Sequence, residues 1–358
     1  MKKIKVLVAD DSAFMRKLIQ DILSASDQIE IVGTARNGED AVKKIKDLKP
    51  DVVTMDIEMP ILNGIDALKI IMKETPVPVV MLSSTTQIGA ENTLLAIQYG
   101  AVDFIAKPSG PISLDLEKIR DVIVEKVISA SKANLKLLTN HLTDKNLFSS
   151  SLEYCSKIKL KSTTIWENTS KKIICIGTST GGPRALQAVL SKIPADINAP
   201  LLIVQHMPPG FTRSLANRLD SLSKLHVKEA VDGEDLINGT AYIAPGGYHL
   251  YVKNRSTGLF IQLDQSPPRN GHRPSVDVMF ESVSFIHEYA KIAVVMTGMG
   301  TDGSKGLIQL KKSGKLKAIA ESAETSIVYG MPKAAISTNL VDEVQNVEDI
   351  AKTILKYV

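Results

Sequence analysis

The sequence predicts an α/β protein of two doubly wound domains joined by a polar connection. Three observations carry that expectation. Short apolar runs alternate with helical stretches from residue 3 to about 125 and again from Lys171 onward, the pattern of parallel sheets covered by helices on both faces. Between them lies a stretch rich in Ser, Thr, Asn and Lys in which the alternation dissolves. The length of 358 residues is also more than one hydrophobic core usually serves. With 44% apolar and 23% charged residues, both domains can bury a sizeable core. The expected division is a first domain over 1–125, a flexible basic linker over 126–167 and a second domain over 168–358.

Five strand–helix units fill the first domain. "KIKVLVAD" precedes a helix from Ser12 to Leu23, and "IEIVGTA" precedes one over Glu39–Leu48. "DVVTMD" leads to Gly64–Lys73, "VPVVMLSS" to a helix near Gly89–Gln98, and "VDFIAK" to a closing helix over Leu114–Ile128. In the second domain "KKIICIG" is a strand with a helix over Pro183–Lys192, and "PLLIVQH" one with a helix from Thr212 to Leu222. "TAYIAP", "YHLYVK" and "GLFIQLD" are short strands separated by turn residues, expected as an antiparallel insertion. A helix over Val276–Tyr289, the strand "KIAVVMTG", a helix after Gly303 and a last pair, "KAIAES" and "MPKAAIST", complete the core.

Several function classes are excluded by composition. The N-terminal apolar run is too short for a signal peptide, and no window approaches the roughly 18 apolar residues of a membrane span. Two cysteines, Cys155 and Cys175, make no disulfide framework, which suits a reducing cytoplasm. Nucleic acid is a poor partner despite the formal charge of +4. Residues 126–172 hold nine lysines against three acidic residues, so the remainder of the chain is net negative. The basic character belongs to one polar segment, the linker, and not to a folded face.

In the first domain, aspartates end two strands: Asp10 and Asp11 after the first, Asp56 after the third. Neighbouring strands would bring these carboxylates together, and unpaired they would repel one another. A hard divalent cation such as Mg²⁺ relieves that and keeps sites for water and phosphate. Ser83 and Lys107 end the fourth and fifth strands at the same sheet edge, as a donor and a cation for a phosphoryl group. Any one strand-end aspartate is ordinarily a cap; three of them with a serine and a lysine, at the ends of four strands of one domain, are not. "VADDSAFMR", "DVVTMDIEMPILNG", "VVMLSS" and "GAVDFIAKP" resemble the signatures of the response-regulator receiver domain. The resemblance implies a flavodoxin-like five-stranded parallel sheet, Mg²⁺ held by Asp10, Asp11 and Asp56, and phosphorylation of Asp56. The phosphodonor it implies is a histidine kinase. Ser83, Phe104 and Lys107 would be the switch residues.

In the second domain, "KIICIGTSTGGPRAL" runs from a strand through a glycine-rich turn into a helix. Its glycines, Gly177, Gly181 and Gly182, have the wrong spacing for a dinucleotide fingerprint, and no G-K-[ST] follows for a P-loop. Gly177 to Gly181 fits G-x-S-x-G, which sets a serine, here Ser179, on a strained strand-to-helix turn with its Oγ exposed. His206 closes the next strand, and a histidine is the usual base for a serine nucleophile. Asp302 follows a later strand and could orient the imidazole. The order Ser…His…Asp differs from the Ser…Asp…His of α/β-hydrolases. Of six histidines, His249 and His272 also sit in suggestive loops.

"GTSTGGP", "VQHMPPGFT", "YIAPGGYHL", "RPSVDVMF" and "VVMTGMGTDGSKG" resemble the signatures of the CheB-type protein-glutamate methylesterases of bacterial chemotaxis. The resemblance implies Ser179 as nucleophile, His206 as general base and acid, Asp302 as orienter, and the N–H groups of Met299 and Thr180 as oxyanion donors. It implies demethylation of glutamate esters, and deamidation of glutamine, on methyl-accepting chemoreceptors. A chemotaxis histidine kinase would be the phosphodonor. No cofactor is expected for the esterase, and neither nucleic acid nor membrane insertion. His249, His272 and Arg273 either line the pocket or are hydrogen-bonded loop residues, and an unphosphorylated first domain would block the Ser179 face. The alternative is a response regulator with a DNA-binding or non-catalytic output, and the second half shows no helix-turn-helix or basic recognition helix.

Overall fold

The computed structural model describes residues 2–107, 116–143 and 171–358, in two compact units divided near residue 150. Most of the expected linker, with Cys155 and Trp166, lies outside the described residues.

The first unit is β1 (Ile4–Ala9), α1 (Ala13–Ser24), β2 (Ile29–Ala35), α2 (Gly38–Leu48), β3 (Val52–Asp56), α3 (Gly64–Glu74), β4 (Val79–Ser83), α4 (Gln87–Gln98), β5 (Asp103–Ala106), α5 (Leu116–Ala130) and α6 (Leu135–Thr143). The strands form a five-stranded sheet of order β2-β1-β3-β4-β5, every pairing parallel. Val6, Leu7, Val8, Val53, Met55, Val80 and Met81 are fully buried, as continuous apolar strands between two helical layers must be. Ser12, Asn37, Asn63 and Thr86 cap α1 to α4, each side-chain oxygen accepting a backbone N–H of the first turn. The order reverses between β1 and β3, which run side by side with Ala9 opposite Met55. The carboxyl ends of those two strands therefore make the crevice in which such sheets bind ligands.

The second unit is β6 (Lys171–Thr178), α7 (Gly182–Leu190), β7 (Leu201–Gln205), α8 (Phe211–Leu222), β8 (His226–Glu229), β9 (Thr240–Ile243), β10 (His249–Arg255), β11 (Gly258–Asp264), α9 (Val276–Ser284), β12 (Tyr289–Val295), α10 (Ser304–Lys312), β13 (Leu316–Glu321), α11 (Met331–Ile336), β14 (Glu343–Gln345) and α12 (Val347–Tyr357). Seven strands make a wholly parallel sheet of order β14-β13-β12-β6-β7-β9-β8. The chain builds outward from β6 through β7 and β9 on one side, then returns to lay β12, β13 and β14 on the other. The reversal point lies at β6 and β12, with Val295 opposite Gly177. Ile173, Cys175, Val204, Tyr242, Phe280 and Leu310 belong to its core, and burial pushes the Cys175 thiol well above its ordinary pKa.

Three expectations need correction here. "TAYIAP" is not part of an antiparallel insertion: Thr240–Ile243 joins the main sheet in parallel, and only β10 and β11 pair antiparallel. Four buried residues in a row suit a strand covered on both faces, which the turn signals around it obscured. The stretch after Ile128, expected to continue the last helix only in part, carries α5 on to Ala130 and then forms a separate helix, α6, over Leu135–Thr143. Strands β8 and β14 and the helix α12 are additional; the two strands are short sheet edges with little apolar signal. Among the described residues, no helix is long and apolar enough to cross a membrane.

Candidate active site and phosphoacceptor site

In the first unit, Asp10 and Asp56 leave β1 and β3 buried, and Asp11 is exposed. Their carboxylate oxygens lie within 4.8 Å of one another. Lys107, at the end of β5, lies 2.7 Å from Asp56 Oδ2 and 3.1 Å from Asp10 Oδ2. Burial pushes the Asp56 carboxyl up to about 6; the Asp10 charge adds to this and the Lys107 ammonium opposes it. Three carboxylates with no nitrogen or sulfur ligand are the donor set a hard cation such as Mg²⁺ takes, so the residues present fit that ion. A cleft of about 630 Å³ opens alongside, lined among others by Asp11, Glu58, Met59, Asn63 and Lys69. Gly64 starts α3 so close that a Cβ there would meet the Asp56 carbonyl at 1.9 Å, so only glycine allows this approach.

Ser83 and Phe104, expected as switch residues, make other contacts. Ser83 is buried and its Oγ donates to the Gly89 carbonyl at 2.9 Å, an acceptor shared with Thr93 Oγ1. Phe104 is 2% exposed, with the Lys126 ammonium 5.5 Å from its ring centroid.

In the second unit, Ser179, His206 and Asp302 follow β6, β7 and β12, so all three emerge at the reversal point of the sheet. Ser179 is 9% exposed, and its N–H donates to the Thr297 carbonyl at 3.0 Å. The serine itself is not strained, contrary to expectation. The positive φ of the turn, 81°, falls on Gly181, where the missing Cβ makes it inexpensive. A Cβ on Gly182 would meet Gln205 Oε1 at 1.9 Å and Thr178 Oγ1 at 2.4 Å, so a side chain there would have to displace both.

His206 Nε2 lies 2.8 Å from Asp302 Oδ2. Asp302 also accepts from Val276 N–H at 2.7 Å, Ser275 Oγ at 2.8 Å, Asp277 N–H at 3.1 Å and Asn270 Nδ2 at 3.3 Å. Burial alone would raise its pKa, but the His206 ring and the two N–H groups more than offset that and hold the carboxyl below its ordinary value. An ionised carboxylate at Nε2 makes that nitrogen the N–H donor. Nδ1 is then the basic nitrogen, and it is buried with no hydrogen-bond partner among the described residues. This reverses the nitrogens of the chymotrypsin arrangement, where the aspartate holds Nδ1. No hydrogen bond joins the imidazole to Ser179 Oγ; in hydrolases that contact often tightens only with substrate bound.

Spacing gave no sign of Asn270, Ser275 and Asp277. Asp277 is fully buried and accepts from the N–H groups of Gly306 and Gly303 at 2.7 and 2.9 Å. Burial and the Asp302 charge push its carboxyl above the ordinary value. A signal was present in "RPSVDVMF", whose Ser-x-Asp reads as a cap followed by a first-turn acid.

The backbone from Thr297 to Gly300 runs along the serine turn. A Cβ on Gly298 would lie 2.8 Å from Ser179 Cβ, so this backbone runs against the serine. Thr297 Oγ1 donates to the Thr180 carbonyl at 2.9 Å and braces that peptide. Thr297 N–H in turn donates to Glu321 at 2.7 Å. Burial pushes the Glu321 carboxyl up to about 7 from an ordinary 4.5. A carboxyl with a raised folded pKa stabilises the fold below its unfolded pKa, and that stability is lost as pH rises through the folded one. Glu321→Gln is therefore expected to match wild type near pH 4.5 and to exceed it by about 3 kcal/mol above pH 7. Denaturant unfolding across that range checks this, and a pH-independent difference would refute it.

His249 is buried and its Nε2 lies 3.2 Å from the Pro267 carbonyl, and Arg273 donates to the Gln265 and Ser266 carbonyls at 2.6 and 2.9 Å. Both serve the loop before α9. His272 stacks on the ring of His206.

A doubly wound domain that gathers a serine, a histidine and an ionised aspartate at its reversal point has the architecture of a serine hydrolase. Here it follows a phosphoacceptor module. The family model for CheB methylesterase matches residues 174–354, and that for the response regulator receiver domain matches residues 6–118. The chain is 55% identical over its whole length to a protein-glutamate methylesterase/protein-glutamine glutaminase of Geobacillus kaustophilus, covering 99% of it. It is 50% identical to the protein of that name in Bacillus subtilis, over 98% of this chain and 97% of that one. The crystal structure of the Thermotoga maritima CheB methylesterase catalytic domain aligns over all of its length and 53% of this chain, at 46% identity and a TM-score of 0.51. The chain belongs to the CheB methylesterase family and carries a receiver domain. That membership leaves no support for a DNA-binding output.

Proposed function

We propose that this chain is a receiver-controlled esterase that removes the γ-methyl ester from glutamates of chemoreceptor helices, and deamidates glutamines there, in the cytoplasm. The observation that carries it is the buried His206 ring, with Nε2 on Asp302 at 2.8 Å and Nδ1 unpartnered among the described residues, one strand from the serine turn. Ser179 Oγ attacks the ester carbonyl while Nδ1 takes its proton, and Asp302 stabilises the imidazolium. The N–H groups of Met299 and Thr180 receive the oxyanion. The intermediate collapses, methanol leaves with the proton from His206, and water hydrolyses the glutamyl-serine ester. With a primary amide in place of the ester, only the leaving group changes, to ammonia.

In the receiver, Asp56 takes a phosphoryl group from a phosphohistidine of a chemotaxis kinase. Mg²⁺ held by Asp10, Asp11 and Asp56 would neutralise the phosphoryl charge when bound. Lys107, already 2.7 Å from Asp56, pairs with a phosphoryl oxygen, and Ser83 reaches it by leaving the Gly89 carbonyl. Phe104 follows Ser83 as the aromatic switch. The unphosphorylated receiver restrains the esterase, and phosphorylation shifts the population to the unrestrained state.

The test is methanol release from receptor membranes bearing methylated glutamates, with and without a small phosphodonor and Mg²⁺. Wild type is expected to release methanol faster with phosphodonor, and Asp56→Asn to stay at the basal rate. A phosphodonor response in Asp56→Asn removes the phosphoacceptor assignment. An absence of methanol under every condition removes the esterase.

A further inference from the structure

We infer that His272 is a positioning residue for the general base, holding the His206 ring in plane by stacking flat upon it. The reading rests on the esterase function proposed above. The two rings lie 3.8 Å apart between centroids with 14° between their planes. Among the described residues, Asp302 makes the only hydrogen bond to the His206 ring, at Nε2. A ring held by one hydrogen bond can still tilt about it, and a tilt swings Nδ1 away from the hydroxyl it must deprotonate. A second ring against its face removes that freedom.

The loop is built for this placement. Arg269 N–H donates to the His272 carbonyl at 3.0 Å and His272 N–H to the Arg269 carbonyl at 2.9 Å, closing a tight turn. Inside it Asn270 and Gly271 take positive φ of 53° and 81°, a conformation sparsely populated for asparagine. Both sides of the turn are anchored. Arg269 pairs with Glu281 at 2.8 and 3.3 Å, and Asn270 Nδ2 bridges Asp277 Oδ2 at 3.0 Å and Asp302 Oδ1 at 3.3 Å. The carboxylate that orients one edge of His206 therefore also tethers the loop that covers its face.

The test compares His272→Ala, His272→Leu and His272→Phe in the full chain. Misplacement of a catalytic group by about 1 Å costs on the order of 10²-fold. Alanine and leucine are expected to lower kcat roughly 10- to 100-fold with KM little changed, and phenylalanine, which can still stack, to recover most of it. An unchanged kcat in alanine, a leucine variant as active as wild type, or a rise confined to KM would overturn the inference. A second readout needs no turnover: the ring signals of His206 in histidine-labelled protein. They are expected to be single in wild type and His272→Phe, and shifted and broadened in His272→Ala. Unchanged His206 signals in His272→Ala overturn the inference whatever the rates show. If wild type releases no methanol but the signals respond, the esterase reading falls and the stacking role stands.

Discussion

Ser179→Ala is expected to abolish methanol release, lowering kcat by about 10⁴- to 10⁶-fold, the range seen when a serine nucleophile is removed. The substitution deletes one oxygen and leaves the turn intact. The Ser179 N–H still donates to Thr297 at 3.0 Å, and its carbonyl still accepts from Gly182 N–H at 2.8 Å and Gln205 Nε2 at 3.0 Å. The melting temperature is therefore expected to hold while activity vanishes. Methanol release above about one hundredth of wild type would exclude Ser179 as the nucleophile. A parallel assay of ammonia release from glutamine-bearing receptors is expected to fail together with it, because one serine serves both acyl transfers.

Asp302→Asn is expected to reduce kcat by about 10⁴-fold, as the corresponding change does in the chymotrypsin template. The physical reason is local. Both oxygens of Asp302 face donors: Oδ2 faces His206 Nε2 and Val276 N–H, and Oδ1 faces Ser275 Oγ and Asp277 N–H. An amide sets its NH₂ against one of these groups in either orientation. With NH₂ toward His206 the ring must turn Nε2 into the acceptor, which puts the proton on Nδ1 and leaves no base for Ser179. With NH₂ toward Ser275 and Asp277 N–H, donors oppose donors in a buried site. The loss should fall on kcat and leave KM nearly unchanged. A fall of less than tenfold would mean that Asp302 does not set the tautomer.

These two residues also differ in how they could be found. Ser179 was legible because glycines at fixed spacing report a backbone constraint, and the structure places that constraint at Gly181 and Gly182. Asp302 was legible only as a strand-end acid. Its other partners, Asn270, Ser275 and Asp277, come from the loop and first turn of α9, 25–32 residues earlier, reached because α9 packs beside β6 and α10. No local period records such a contact. Ser83 is a similar case, since its strand-end position was plain and its hydroxyl's bond to Gly89 was not.

Strand ends, helix starts and their order are local matters of apolar period, turn residues and caps, and these the sequence by itself determined: two doubly wound domains, an acidic edge on one and a serine turn on the other. Only the tertiary structure decided that Thr240–Ile243 pairs in parallel, that Nε2 and not Nδ1 of His206 meets the aspartate, and that His272 stacks on His206. Those follow from which strands become neighbours and where each loop closes, and such choices are settled by packing between residues far apart in the chain.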